Sequence, residues 1–338
     1  MMIALAMPCL ALLLLLLLGA ADLGRAMEVA VATGVFGAGA DVKSYLLGAH
    51  ALAGSLIKWE VPAARVLLTT REAWASVGEE LQQQTGSLFE IVFVDPIECR
   101  LATEAHNEIY GIFSKDSPGI RTTCTKLHVF GLTQYDKVLF MDADTVALSD
   151  VSWVFSWPSV FAAAADPCQS YMFNSGVMLL QPSDDTLAAL LDVNRHIGSF
   201  DGGDQGILNA YFSTWYGSRA AALGAATLPP HMNVPAGPLG MVRDHYARVL
   251  GGIFESRGLR SGLIQAAAVY HFMGSRKEEK PWAITSWEMD EGKSVKHATL
   301  GIDKGNQWNK NHYLWPFVKE WQRHYLTAVD FMYRGEGR

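Results

Sequence analysis

Tyr135-Asp136-Lys137-Val138-Leu139-Phe140-Met141-Asp142-Ala143-Asp144-Thr145 is the stretch on which the fold turns. Val138, Leu139, Phe140 and Met141 form an unbroken apolar run after a polar turn, the pattern of a strand buried on both faces of a sheet. Two carboxylates, one residue apart, close that run. Side chains alternate along a strand, so Asp142 and Asp144 are expected to point the same way and to share one ligand. Adjacent like charges are costly without a cation between them, and carboxylate oxygens suit hard divalent ions such as Mg²⁺ or Mn²⁺. A metal so held would neutralise a diphosphate. The plainer reading is a pair of turn or cap aspartates, and the rest of the chain decides against it.

Upstream, residues 28–33 read as a first strand that breaks at Gly34, Gly37 and Gly39. A helix opened by Asp41 follows, with Val42, Leu46, Ala49, Ala53 and Leu56 at helical spacing. Residues 65–70 and 89–95 are two more strands, 71–84 is helical, and a helix over 122–132 leads into the Asp142 strand. This β-α-β-α-β order predicts an α/β fold with a doubly wound, mostly parallel sheet, whose ligands bind beyond the carboxyl ends of the strands. The three glycines lack the third glycine of a dinucleotide-binding G-x-G-x-x-G, so they read as an ordinary strand-to-helix turn.

Downstream, short strands are expected at 161–165, 177–181 and 266–272, and a small additional β region accompanies the main sheet. Helices are expected at 184–196 and 204–212. Residues 286–310 read as a polar, exposed connection, and a last helix over 312–328 carries Leu314, Val318, Trp321 and Tyr325 on one face, a stripe that suits core packing. The organisation that follows is a leader over 1–26, one large domain over 28–285 and a C-terminal extension over 286–338.

At 338 residues, 50% hydrophobic and 18% charged, the chain can bury a sizeable core, and global disorder is excluded. A formal net charge of −7 with no Lys/Arg stripe argues against a nucleic-acid binder. Leu10 to Leu18 is almost pure leucine and is followed by Gly19, Ala20 and Ala21, which fit a signal-peptidase site. The apolar stretch over 3–21 is also nearly long enough to span a bilayer. Entry into the secretory pathway is expected, as a cleaved signal or a retained anchor; contact with the membrane follows only if the leader is retained. Cys9 lies in that leader, leaving Cys99, Cys124 and Cys168, among which at most one disulfide can form.

Three further segments fit the carboxylate pair. His271 ends the apolar run Ala267-Ala268-Val269-Tyr270 and can reach the same metal from the opposite side. Gly274 permits close backbone approach, and Lys277 and Lys280 supply cations for a phosphate. Asp201-Gly202-Gly203-Asp204-Gln205-Gly206 sets two carboxylates and an amide at a glycine-loosened helix start. Asp204 could be a plain N-cap there, yet Asp201 and Gln205 exceed what a cap requires. Phe173-Asn174-Ser175-Gly176 reads as a turn before an apolar strand.

Together these segments resemble glycosyltransferase family 8, and within it the glycogenin-like members. The matching pieces are Thr125-Lys126-Leu127-His128, Leu132-Thr133-Gln134-Tyr135, Phe140 to Thr145, Phe173 to Val177, Gly198 to Asn209, His271-Phe272-Met273-Gly274 and Lys280-Pro281-Trp282, in the family's order. The resemblance implies a GT-A fold and a retaining transfer of a hexose or hexuronic acid from a UDP-sugar to a glycan, lipid or protein acceptor, with Mn²⁺. It implies Asp142, Asp144 and His271 as metal ligands, and Asp201, Asp204 and Gln205 as the catalytic group. Lys126, Asp142, Ala143, Asp144, Asn174, Ser175, Gly202, Gly274, Lys277 and Lys280 are implied to bind the donor, with either Lys277 or Lys280 on the phosphate. Asp201 and Asp204 would orient sugar hydroxyls, and no carrier of a covalent intermediate is assigned. A homodimer is a further expectation.

Three departures accompany the resemblance. Gly274 and Lys280-Pro281-Trp282 are separated by three extra residues. The segment His231 to Met241, where glycogenin carries its self-glucosylated tyrosine, has no tyrosine, and Tyr246 is misplaced. A secretory leader is foreign to a cytosolic glycogenin but suits plant-type relatives that add glucuronic acid to xylan or glycolipids. Self-glucosylation and a catalytically silent sugar-nucleotide-binding protein are the alternatives.

Overall fold

The computed structural model describes residues 26–37, 40–102, 122–166, 171–213, 215, 224–235, 267–272, 280–289, 295–300 and 315–334. The leader up to residue 25, Gly39, Cys168, Tyr246, Gly274, Lys277 and Leu314 lie outside them.

The Asp142 strand is central. It is β4 (Lys137–Met141) of a seven-stranded sheet built with β1 (Val29–Val35), β2 (Ala64–Thr69), β3 (Glu90–Phe93), β6 (Phe161–Ala165), β7 (Phe173–Leu180) and β8 (Ala225–Thr227). The order across the sheet is β3-β2-β1-β4-β7-β6-β8. All pairings are parallel except those of β7, which runs antiparallel to both β4 and β6. The sheet is thus mostly parallel, as the β-α-β-α-β order requires.

Burial on both faces follows from the alternation. Val138 and Phe140 pack on one side with Ala30, Ala32, Met178 and Leu180, while Leu139 and Met141 pack on the other with Val31, Val177 and Leu179. The first side is covered by a 3-10 segment (Thr122–Gly131) and by helices α4 (Asp184–His196) and α5 (Asp204–Tyr211). Helix α4 begins where Ser183 accepts a hydrogen bond from the Thr186 amide, with Asp184 and Asp185 in its first turn and Arg195 and His196 in its last.

The opposite side is covered by α1 (Ala40–Lys58), against which the last helix, α7 (Trp315–Arg334), packs. Val318, Trp321 and Tyr325 are buried there, so the apolar stripe is core. At the crossing the two backbones nearly touch: a Cβ on Gly54 would overlap the His324 carbonyl, so only glycine fits. Among the described residues no helix is long and apolar enough to cross a membrane.

Local departures from the sequence reading have physical causes. The stretch over 71–84 divides into α2 (Arg71–Ala75) and α3 (Glu79–Leu88), because Gly78 serves as the N-cap of the second. Residues 122–131 wind as a 3-10 helix rather than an α-helix. Asn174, Ser175 and Gly176 form no turn but lie inside β7, fully within the sheet. The connection expected over 286–310 contains an antiparallel pair, β11 (Thr285–Met289) and β12 (Val295–Leu300), preceded by the short helix α6 (Pro281–Ile284).

Candidate active site

Asp142 and Asp144 converge by a turn, not by strand alternation. The Asp142 amide still bonds the Gly176 carbonyl across the sheet, but the Asp142 carbonyl then accepts from both the amide and the hydroxyl of Thr145, at 3.0 and 2.7 Å. The chain reverses into β5 (Thr145–Ala147), which pairs antiparallel with β10 (Val269–His271) so that Thr145 lies opposite His271. The Phe272 amide donates to the Asp144 carbonyl at 2.8 Å. Two short strands far apart in sequence therefore hold the imidazole against the carboxylates. Ala143 between them turns into the α1 core, and the turn sits so close to Gly48 that a Cβ there would meet the Ala143 carbonyl.

His271 Nε2 lies 3.1 Å from Asp144 Oδ1 and 3.7 Å from Asp142 Oδ2. One ligand atom from each of Asp142, Asp144 and His271 can be chosen so that all three lie within 4.8 Å of one another. Two oxygens and an imidazole nitrogen suit Mg²⁺ or Mn²⁺. The other ring nitrogen is already used: Nδ1 meets Asn233 Oδ1 at 3.0 Å, the second contact that fixes a ligating imidazole. The residues present thus fit a divalent metal.

The remaining oxygen of each aspartate is held by a lysine. Lys126 Nζ lies 2.9 Å from Asp142 Oδ1 and 2.9 Å from Asp204 Oδ2, and Lys280 Nζ lies 2.5 Å from Asp144 Oδ2. Burial works against the Lys126 charge, but Asp142 and Asp204 outweigh it and hold the ammonium above the ordinary lysine range. At Asp144 burial favours the neutral acid, yet Lys280 and His271 prevail and hold the carboxyl well below the usual carboxylate range. Burial, with Asp144 and Asp204 beside it, pushes the Asp142 carboxyl up against the opposing pull of Lys126 and His271.

The amide-rich part of the site is one hydrogen-bonded network. Gln205 Oε1 accepts from Asn174 Nδ2 and the Ser175 amide, at 3.0 and 3.2 Å, and Ser175 Oγ donates to Asp204 Oδ2 at 2.7 Å. Asn174 Nδ2 and Gln205 Nε2 both donate to Asp166 Oδ2, and Asn233 Nδ2 donates to Asn174 Oδ1. Gly176 is where β7 passes the imidazole: a Cβ there would sit 2.1 Å from His271 Cε1.

Asp204 is not the cap of α5; the N-cap is Gly203. The capping role falls to Asp201, whose Oδ1 accepts from the Gly203 and Gly206 amides and from Ser199 Oγ. Burial raises the Asp201 carboxyl, opposed by those same donors. Asp201 and Gly202 therefore shape the loop, with Gly202 at φ +83° where only glycine is comfortable. The site so assembled comprises Lys126, Asp142, Asp144, Asn174, Ser175, Asp204, Gln205, His271 and Lys280. Asn233 and Asp166 join it without having been anticipated.

Cys99 and Cys124 form a disulfide that ties the residues after β3 to the segment carrying Lys126. The same stretch is tied to the Asp201 loop by bonds from the Ser199 amide to the Arg100 carbonyl and from the Ala102 amide to the Ser199 carbonyl. This disulfide is thus a strut between two parts of the site.

The sheet has the GT-A fold of solved glycosyltransferases. The apo WbbM bifunctional glycosyltransferase superposes with a TM-score of 0.51 at 17% identity, over 76% of this chain and 47% of that one. The glycosyltransferase GlyE of Streptococcus pneumoniae TIGR4 does so with a TM-score of 0.50 at 16% identity, over 91% and 63%. Mouse (Mus musculus) glycogenin-1 is 38% identical over 173 residues, 51% of this chain and 48% of that protein. Human (Homo sapiens) glycogenin-2 is 34% identical over 238 residues, 70% and 41%. A putative UDP-glucuronate:xylan alpha-glucuronosyltransferase 5 of Arabidopsis thaliana is 40% identical over 104 residues, 31% and 18%. No family model matches the chain. These likenesses support a glycogenin-like chain of the GT-A fold, and it spans about half the length of the glycogenin-1 it matches.

Proposed function

We propose that this protein is a metal-dependent, retaining transferase that moves a hexose or hexuronic acid from a UDP-sugar to a glycan, lipid or protein acceptor in the secretory pathway. The observation that carries the reading is the buried Asp142-Asp144-His271 cluster at the carboxyl end of β4, with Lys126 bridging Asp142 and Asp204. Mn²⁺ held by those three residues would supply positive charge to the diphosphate as UDP departs. Lys126 adds a second cation beside it, buried and oriented by two carboxylates, so it needs no reorganisation during the reaction. Ser175 fixes Asp204, and the Asn174–Gln205 pair fixes β7 against α5, so the sugar-facing groups are set before a donor arrives.

Two features support a lumenal setting: the leucine-rich leader and the Cys99–Cys124 disulfide, a bond that persists in oxidising compartments. Glucose and glucuronic acid are the donor sugars to try first, the second because of the glucuronosyltransferase relative. The test is a panel of UDP-sugars assayed for UDP release with and without Mn²⁺, using wild type and Asp144→Asn. Release that depends on Mn²⁺ and is abolished by Asp144→Asn, with the melting temperature retained, is the expected result. Full turnover of the substituted protein would refute the metal assignment.

A further inference from the structure

The metal cluster carries its own counter-ions. Three carboxylates (Asp142, Asp144 and Asp204) face two ammonium groups (Lys126 and Lys280), which leaves one negative charge when all are ionised. Lys280 is the more telling of the two. It is buried, its Nζ holds the Asp144 oxygen at 2.5 Å and also donates to the Phe272 carbonyl, and the same Nζ lies 6.0 Å from the centre of the Trp282 ring. Phe272 is itself locked to the Asp144 carbonyl through its amide. The ammonium is thus placed by backbone on one side and by a metal-ligating carboxylate on the other, within a few ångströms of where a cation would sit.

We infer that Lys280 is a tethered cation that opposes metal binding to Asp144, so that a divalent ion alone binds weakly and binds tightly only together with a diphosphate. The reasoning is electrostatic. A divalent ion entering beside two buried ammonium groups is repelled by both, and in a dry site this repulsion is poorly screened. A diphosphate brings the missing negative charge, and the same ammonium then works for the complex instead of against the metal. Metal and nucleotide are therefore taken up as a unit, and metal without nucleotide is held only weakly. This rests on the metal site proposed above and adds the residue that sets its order of loading.

The experiment is calorimetric titration of the full chain with Mn²⁺, without and with UDP, for wild type, Lys280→Met and Lys280→Arg. Without UDP, Lys280→Met is expected to bind Mn²⁺ about tenfold or more tightly than wild type, while Lys280→Arg, which keeps the charge, stays weak. The gain in Mn²⁺ affinity on adding UDP should shrink in Lys280→Met. Lys280→Gln gives the same comparison should the methionine variant fail to fold. If the neutral variants bind Mn²⁺ alone no better than wild type, or if the arginine variant matches them, Lys280 does not act by charge and the inference is wrong while the metal site stands. If no variant binds Mn²⁺ even with UDP, the metal site itself is refuted, and the inference with it.

Discussion

Replacing Gly176 by alanine should remove His271 from the metal site without touching any ligand. The added Cβ would lie 2.1 Å from His271 Cε1, 2.6 Å from its Nδ1 and 2.9 Å from Asn174 Oδ1. Real Cβ contacts essentially never fall below 3.0 Å, so one side must give by about 0.9 Å or more. Strand β7 cannot retreat easily: it is paired on both edges, with β4 and with β6, and buried along its whole length. The imidazole can move only by breaking its contact with Asn233. Metal–ligand distances tolerate only about 0.2 Å of error, so such a shift takes Nε2 out of coordination.

The overpacking itself should cost about 1–3 kcal/mol of stability. Loss of the oriented imidazole should weaken metal binding by roughly 10- to 100-fold. The assay is Mn²⁺ titration in the presence of UDP, with thermal melts on the same samples. Gly86→Ala is the control, because a Cβ there meets nothing within 4 Å and the residue lies in a helix. That control should leave metal binding alone and raise stability by about 0.5–1 kcal/mol. If Gly176→Ala bound Mn²⁺ as tightly as wild type, either His271 would not be a ligand or β7 would yield where the packing says it cannot.

Two more predictions rest on other parts of the molecule. Cys99→Ser with Cys124→Ser opens a loop of 25-residue separation, so unfolding by urea should show a loss of about 3 kcal/mol; an unchanged midpoint would mean the bond is not formed in the protein. Burial holds His50 and His324 down to about 3, against 6.5 for a free imidazole, so each opposes folding only when the unfolded chain is protonated. Their contribution is fully present above the unfolded value and is lost as pH falls below it, so going from pH 7 to pH 5 should cost about 2 kcal/mol per histidine. Neither ring nitrogen of His324 has a hydrogen-bond partner among the described residues, so His324→Leu should raise stability at pH 7 by about 1–3 kcal/mol and flatten the acid slope; an unchanged slope would show the imidazole is not buried neutral.

How much of this was legible in the chain depends on what each residue's role needed. Asp142 and Asp144 announced themselves because the run before them is apolar at every position, which only a strand with two covered faces tolerates. His271 is legible as the end of an apolar strand and Asp204 and Gln205 as residues of a glycine-loosened helix start, whereas Lys126 is marked by the family resemblance alone. The mode of convergence was not legible: a period of two predicts side chains on one face of a strand, whereas Thr145 bends the backbone into a turn. The capping of α5 by Asp201 Oδ1 through the Gly206 amide was not legible either, because that bond depends on how the loop folds back.

Asp166 is the instructive omission, because the signal that found Asp142 was present there too. Phe161–Ala165 is an apolar run closed by a carboxylate, the same form as Val138 to Met141 closed by Asp142. What was missing was the direction of β7. It runs antiparallel to both neighbours, so β6 must run parallel to β4, and their carboxyl ends lie on the same edge of the sheet. Only that edge receives the start of β7, and with it Asn174, which is why Asp166 and Gln205 can meet it. Asn233 offers no comparable mark: it sits in a short irregular segment, and it reaches His271 because β9 (Val234–Pro235) joins β10 in parallel, a pairing between residues 36 apart that no local pattern encodes. A strand's end is visible in sequence from its own composition; which other ends share its edge is a property of the sheet, and the donors that hold a ligand's neighbours in place are chosen at that second level.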